Sequence, residues 1–193
     1  MKLNKEYWEQ RYRENRLGWD IGHISSPLKK YIDGLRNKEM KILVPGAGYG
    51  YEVSYLHQLG FTSVYAVDYA AEPLQRILRE NPDFPKDQLV EGDFFDMEES
   101  GFDLILEQTF FCSLPPKLRS QYVEKTFNLL KEGGILSGLL FDFPLTEKGP
   151  PYGGNSQMYR DLFQPPFKID TLERAYNSIA PRQGNELFFI FTK

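Results

Sequence analysis

The stretch Lys41-Ile42-Leu43-Val44-Pro45-Gly46-Ala47-Gly48-Tyr49-Gly50-Tyr51-Glu52 constrains this chain more than any other. An apolar run ends in closely spaced glycines, and a helical pattern follows. That order predicts a buried strand, a tight turn and the start of a helix. Glycine serves where the backbone takes positive φ or lets a ligand approach closely. Open α/β sheets bind ligands at the carboxyl ends of such strands. The next apolar run, Ser63-Val64-Tyr65-Ala66-Val67, ends in Asp68. A carboxylate there can accept from both hydroxyls of a ribose. Glycine turn plus strand-end acid is the core of a nucleoside-cofactor site, although the glycines alone would also suit a plain structural turn.

The glycine spacing narrows the cofactor. A dinucleotide fingerprint wants Gly-x-Gly-x-x-Gly, with its glycines serving a pyrophosphate. Here Tyr51 takes the place of the last fingerprint glycine, and Glu52 in the first helical turn would repel a pyrophosphate. A cofactor with a ribose and no phosphate fits better, and S-adenosylmethionine is the obvious one.

Composition sets outer limits. A length of 193 residues suits one domain with a full-sized core. The division expected is an N-terminal lid over residues 1–36 and a core over 37–193. Hydrophobic content of 41% and charged content of 26% are ordinary for a soluble globular chain. The net charge of -4 offers no general attraction for nucleic acid. Cys112 is the only cysteine, so no intramolecular disulfide forms. The first residues lack an apolar signal region, and no run is long enough to span a membrane. These features lead us to expect a cytoplasmic monomer with no nucleic-acid or membrane partner.

Tyr7, Trp8, Arg11 and Tyr12 lie at helical spacing within residues 4–16, with Asn4 placed to cap the start. A glycine-broken loop, Leu17 to Gly22, carries Trp19. Ser26 and Pro27 mark a second helix start, running to about Leu35. Two roles are open for this segment: Trp8 and Trp19 fasten a lid to the sheet, or the lid closes over the cofactor. Strand 41–45, helix 49–59, strand 63–68, helix 70–80 and a short strand at 88–91 follow. Asp93, just after that strand, lies where an adenine amino group would sit in such a site, although a loop carboxylate is more often just solvated, and Phe94 beside it can pack on an adenine face. Strand 102–106 ends near Glu107-Gln108-Thr109. Helix 116–130 is broken by Gly133-Gly134 before strand 135–141. The Pro- and Gly-rich run from Asp142 to Asn155 is long for a connection and reads as a lid or a surface excursion. Ser156 is placed to cap a short helix. Segments 167–169 and 186–192 read as antiparallel neighbours closing the sheet. The alternation predicts an α/β fold: a doubly wound, Rossmann-like, seven-stranded, mostly parallel sheet with an antiparallel C-terminal strand and an N-terminal helical lid.

Rival chemistries lack their residues. His23 and His57 are far apart and Cys112 has no partner cysteine, so no metal site is expected. Cys112 lies among bulky apolar residues and suits a core thiol better than a nucleophile. Neither a Gly-x-Ser-x-Gly elbow nor a Gly-Lys-Ser/Thr phosphate loop occurs.

Several stretches, taken together, resemble the S-adenosylmethionine-dependent methyltransferases of the thiopurine S-methyltransferase superfamily, and its plant thiol and halide methyltransferase branch most. They are Trp8-x-x-x-Tyr12, Gly18-Trp19-Asp20-Ile21-Gly22 with Ser26-Pro27, Leu43-Val44-Pro45-Gly46-Ala47-Gly48, Gly92-Asp93-Phe94-Phe95, Phe102-Asp103-Leu104-Ile105 with Phe110-Phe111-Cys112, and Pro150 with Tyr152. The resemblance implies a cofactor site of Trp8, Tyr12, Trp19, Gly46, Gly48, Asp68, Asp93, Phe94 and Gln108. Trp8 and Trp19 match lid aromatics, and Tyr12 stands where the halide branch has a tryptophan. Gly46 matches the glycine under the methionine part, Asp68 the ribose acid, Asp93 and Phe94 the adenine-side pair. Gln108 stands where the plant branch carries a tyrosine near the reaction centre, which leaves the acceptor open. Arg119 matches an arginine used near cofactor and substrate, and is the candidate catalytic residue; a plain helix-surface arginine is its other reading.

The expected reaction is methyl transfer by in-line displacement to a small soft nucleophile: a thiol, thiocyanate, halide or thiopurine. Alignment and exclusion of water matter more there than acid–base groups. Phe110, Phe111, Trp19 and Tyr152 are candidates to line a dry acceptor pocket. A non-catalytic cofactor sensor and an NAD(P)-dependent reductase are the competing classes.

Overall fold

Apolar side chains alternate along the central strands and feed two cores, one on each face of a single sheet. The computed structural model describes residues 3–193. Met1 and Lys2, the first residues of the expected lid segment, lie outside the described residues. The strands are β1 (Lys41–Pro45), β2 (Ser63–Asp68), β3 (Leu89–Glu91), β4 (Phe102–Gln108), β5 (Leu130–Phe141), β6 (Lys168–Arg174) and β7 (Glu186–Thr192). Their order across the sheet is β3-β2-β1-β4-β5-β7-β6. All pairs from β3 to β5 are parallel, and β7 runs antiparallel to both β5 and β6. The expected mostly parallel sheet with an antiparallel C-terminal strand is thus present.

The helices are α1 (Lys5–Arg13), α2 (Ser26–Asp33), α3 (Tyr51–Gln58), α4 (Ala71–Glu80), α5 (Arg119–Leu129) and α6 (Ser156–Phe163). Side chains of successive strand residues point to opposite faces. Ile42, Val44, Leu104 and Leu106 therefore pack with Leu28 and Ile32 of α2, Val53 and Leu56 of α3, and Leu74 and Ile77 of α4. Leu43 and Ile105 turn the other way, towards Tyr122 and Val123 of α5 and Phe163 of α6. Burying a side chain of this size contributes about 1.5–3 kcal/mol each.

Asn4 caps α1 as expected, its side chain accepting from the Tyr7 N–H at 3.3 Å. In α2 and α6 the cap lies one residue earlier than expected. Ser25, not Ser26, is the N-cap of α2, and Asn155, not Ser156, accepts from the Met158 N–H at 2.9 Å. In each pair the earlier residue holds the extended backbone a cap needs. Gly133 and Gly134 do not break α5, which ends at Leu129. They fall inside β5, in a bulge where the register jumps from Phe102↔Leu130 to Leu104↔Ile135. A Cβ on Gly134 would sit 2.8 Å from the Lys131 carbonyl oxygen and 2.9 Å from that of Phe102, so the bulge needs glycine there.

Candidate active site

The glycine turn after β1, Asp68 at the end of β2 and the segment after β4 border a cavity of about 750 Å³. This is the end of the sheet where open α/β folds place ligands. Gly46 and Gly48 both have left-handed backbone, at φ 57 and 54. At Gly46 a Cβ would meet the Phe110 ring at 2.3 Å, so the turn and the β4 loop close on one another only because no side chain intervenes.

The Asp68 carboxylate is held on both oxygens. Oδ1 accepts from the Ala70 N–H at 2.9 Å and Oδ2 from the Gly48 N–H at 3.0 Å. Burial pushes its carboxyl up to about 6, against the pull of the Ala70, Gly48 and Tyr69 N–H groups. Asp93 lines the same cavity. Its Oδ1 accepts from the Phe95 N–H at 2.9 Å, and its Oδ2 accepts from the Tyr69 hydroxyl. Phe94 borders the cavity, yet its ring is only 2% exposed and packs on Phe95, Phe110 and Tyr122. That ring belongs to the core, and Phe95 is the more open aromatic of the pair.

Aromatics roof the opening. Trp19 meets Trp8 edge-on at 5.5 Å and Tyr12 at 5.7 Å, and all three line the cavity. An ion pair between Lys5 and Glu91 ties α1 to the end of β3. Asp20 holds the lid loop by accepting from the Gly22 N–H at 2.8 Å. The lid therefore both packs on the sheet end and faces the cavity.

Below the opposite wall lies Glu107, which is fully buried. Its Oε1 accepts from the N–H groups of Phe110 and Phe111, each at 2.8 Å. Its Oε2 accepts from the Tyr122 hydroxyl at 2.7 Å. Burial pushes this carboxyl up to about 7. The arrangement fixes the loop that carries Phe110 and Cys112 to the cavity wall. Cys112 is buried, and burial raises its thiol far above the ordinary range. Thr109, at φ 60, is a β-branched residue in left-handed backbone, and its carbonyl accepts from the Cys112 thiol at 3.1 Å.

Arg119 does not line the cavity. It is 4% exposed, with its guanidinium 4.7 Å from the Phe111 ring centre. Its Nη2 donates to the carbonyls of Tyr152 at 3.2 Å and Gly153 at 2.9 Å. The expected catalytic arginine is placed as a clip for the Pro- and Gly-rich loop, whose Pro150 and Pro151 reach the cavity. Phe111 and Tyr152 are likewise absent from the wall. Arg119→Met should lower the unfolding free energy by about 2 kcal/mol, because two carbonyls lose a charged donor. Urea denaturation measures this, and wild-type stability would refute the clip.

Arg182 stands at the cavity instead. It follows β6 in a loop, is 9% exposed, and its Nη2 donates to the Trp19 carbonyl at 2.7 Å. Nothing in its local sequence marks it, since only the fold brings the residue beside the lid. Tyr69 was also missed; its position directly after Asp68 was the available signal. Gln108 and Gly48 lie in a small adjoining recess under the glycine turn, together with Glu52. Gln108 Oε1 is buried there without a hydrogen-bond partner among the described residues. Glu52 is 5% exposed, and burial raises its carboxyl. An orphaned acceptor beside a carboxyl suits the ammonium end of an amino acid and repels phosphate.

Known proteins place this geometry. The thiopurine S-methyltransferase family matches residues 3–188. Thiocyanate methyltransferase 1 of Brassica oleracea is 28% identical over 184 residues, 93% of this chain and 81% of that protein. A thiopurine S-methyltransferase of Photobacterium profundum is 23% identical over 176 residues, 83% of each chain. Among solved structures, the 1,6-didemethyltoxoflavin-N1-methyltransferase of Burkholderia thailandensis, crystallised with S-adenosylhomocysteine, shares the fold at TM-score 0.78 and 18% identity, covering 98% of this chain and 86% of that one. A TehB-like methyltransferase dependent on S-adenosylmethionine from Corynebacterium glutamicum does so at 0.68 and 20%, covering 98% and 97%. The chain is an S-adenosylmethionine-dependent methyltransferase and belongs to the thiopurine S-methyltransferase family.

Proposed function

We propose that the cavity transfers a methyl group from S-adenosylmethionine to a thiol-type nucleophile, with Asp68 on the ribose, Asp93 on the adenine amino group and the Gln108–Glu52 recess on the ammonium end. The observation that carries this reading is the Asp68 carboxylate, fixed by the Gly48 N–H at 3.0 Å on the edge of a cavity roofed by Trp8 and Trp19. Bound there, the cofactor supplies a methyl group already activated on a sulfonium. The protein then aligns the acceptor and excludes water.

Acid–base help is sparse on the acceptor side. Cys112 holds its proton because burial raises its pKa, and Glu107 spends both oxygens on the loop and on Tyr122. The acceptor must therefore arrive ionised or already nucleophilic, which suits a thiol or another soft anion. Arg182, Arg11 and Lys117, rather than Arg119, are the cations that line the cavity.

The whole chain is proposed to act as one domain, as a cytoplasmic monomer without nucleic acid. The net charge of -4 supports this, and no helix among the described residues is long and apolar enough to cross a membrane. The test is S-adenosylhomocysteine formation with hydrosulfide, thiocyanate, iodide, an aromatic thiol and a thiopurine. Turnover is expected with at least one thiol. Cofactor binding without turnover on any of them would favour a sensor.

A further inference from the structure

Strands β2 and β3 run parallel and end side by side. Asp68 pairs with Glu91, and the Gly92 N–H donates to the Asp68 carbonyl at 3.0 Å. The residues just beyond the two ends therefore meet. Tyr69 comes from one and Asp93 from the other, and both line the cavity. The Asp93 carboxylate is gripped on each oxygen. Oδ1 accepts from the Phe95 N–H at 2.9 Å, a bond internal to the short turn that Asp93 caps. Oδ2 accepts from the Tyr69 hydroxyl, a bond that exists only because the neighbouring strand delivers that ring.

A phenol has one proton to give, and an ionised carboxylate has none. Burial, and then the Asp93 carboxylate, push the Tyr69 hydroxyl well above the ordinary tyrosine range, so it keeps its proton. With that proton committed to Asp93, the Tyr69 oxygen can only accept from a ligand. Each Asp93 oxygen keeps a lone pair for the same purpose. Both side chains at this corner therefore call for an N–H donor. The 6-amino group of a purine supplies two such hydrogens. A 6-oxo purine puts a carbonyl oxygen there, and its nearest N–H lies on the ring instead. The carboxylate would have to swing to reach that hydrogen, and it is held at both oxygens.

We infer that Tyr69 is a positioning residue that sets purine specificity: it fixes Asp93 as an acceptor for the cofactor's 6-amino group and so turns a 6-oxo purine away. This rests on the reading above in which Asp93 meets the adenine amino group. Tyr69 acts through Asp93, so its hydroxyl governs the choice of base more than the grip on the ribose, which is assigned to Asp68. A hydroxyl that merely held the ends of β2 and β3 together would affect every ligand alike, and the two roles separate on that point.

The experiment titrates the protein calorimetrically with S-adenosylhomocysteine and with S-inosylhomocysteine, its 6-oxo counterpart. The unmodified protein is expected to prefer the 6-amino ligand by about one-hundred-fold or more, because a site built to accept from an N–H strongly rejects the analogue lacking it. Tyr69→Phe keeps the ring and removes only the hydroxyl, and should shrink that preference about three- to ten-fold. Asp93→Asn gives the corner a donor of its own and should nearly abolish it. Equal binding of the two ligands by the unmodified protein would overturn the inference. So would a Tyr69→Phe preference within about two-fold of the original, even with both affinities lowered together, and so would loss of both ligands by that variant. A full preference surviving in Asp93→Asn would instead bring down the adenine assignment beneath it.

Discussion

Asp68→Ala weakens S-adenosylmethionine binding by about one-hundred-fold or more. The carboxylate has two duties, and alanine performs neither. It accepts from the Gly48 and Ala70 N–H groups, so the glycine turn loses the acceptor that sets its distance from β2. It also faces the cavity where two ribose hydroxyls are proposed to bind. Hydrogen bonds to a charged group contribute about 1.5–3 kcal/mol each, and two lost together give a factor of roughly one hundred to twenty thousand. Acid reproduces part of the effect in the unmodified protein. Burial holds this carboxyl at about 6, so it begins to take up a proton at mildly acidic pH. Cofactor affinity should therefore fall as pH drops through about 6, and the Asp68→Ala affinity should be flat there. Calorimetric titration between pH 5 and 8 measures both. An affinity within three-fold of the unmodified protein would sink the assignment.

Glu107→Leu should cost about 3–6 kcal/mol of stability, a large part of the roughly 5–15 kcal/mol of a typical domain. Leucine fits the apolar surroundings but leaves two N–H groups and the Tyr122 hydroxyl without an acceptor. Glu107→Gln keeps an oxygen for the two N–H groups and removes the ionisation. Its effect shows in the pH profile. The folded carboxyl, held at about 7, binds its proton more tightly than the unfolded one near 4.5. Its contribution is thus fully present below about 4.5 and is lost as pH rises through about 7, by roughly 3 kcal/mol at most. Tyr122 and Cys112, the titratable groups packed against it, are both pushed up beyond that window. Asp68 adds a smaller slope of the same sign, from about 3.8 to about 6. Urea denaturation from pH 4 to 9 should show stability falling with pH, and a shallower fall for Glu107→Gln. Identical slopes would remove Glu107 as the cause.

Backbone events were legible in the sequence because they are local. The apolar run at 41–45, the glycines after it and Asp68 at the end of the next run each act on immediate neighbours, and β1 and β2 fall at the expected residues. Side-chain destinations were not legible, because contacts remote in sequence decide them. Arg119 and Arg182 are the same residue type in equally plain surroundings. The packing of α5 against the Tyr152–Gly153 carbonyls turns one away, while the return of β7 carries the loop of the other to Trp19. The Phe94 ring points into the core for the same reason: Phe110 and Tyr122 wait there, and neither is near it in sequence. Gly133-Gly134 has the composition of a helix stop. The edge of β4 recruits it into the sheet, and no local pattern shows that.

The hydrogen bond from Arg182 to Trp19 joins residues 163 positions apart, and β7 lies between β5 and β6 rather than at an edge. During synthesis on the ribosome the glycine turn and Asp68 emerge early, but Arg182 is held at Trp19 only once residues 186–192 have emerged and inserted between β5 and β6. Long-range closure of this kind comes late and slowly in folding. The proposed cofactor residues all precede Thr109, whereas the clasp on the lid waits for the final strand, so the two ends of the chain meet over the cavity only when synthesis is complete.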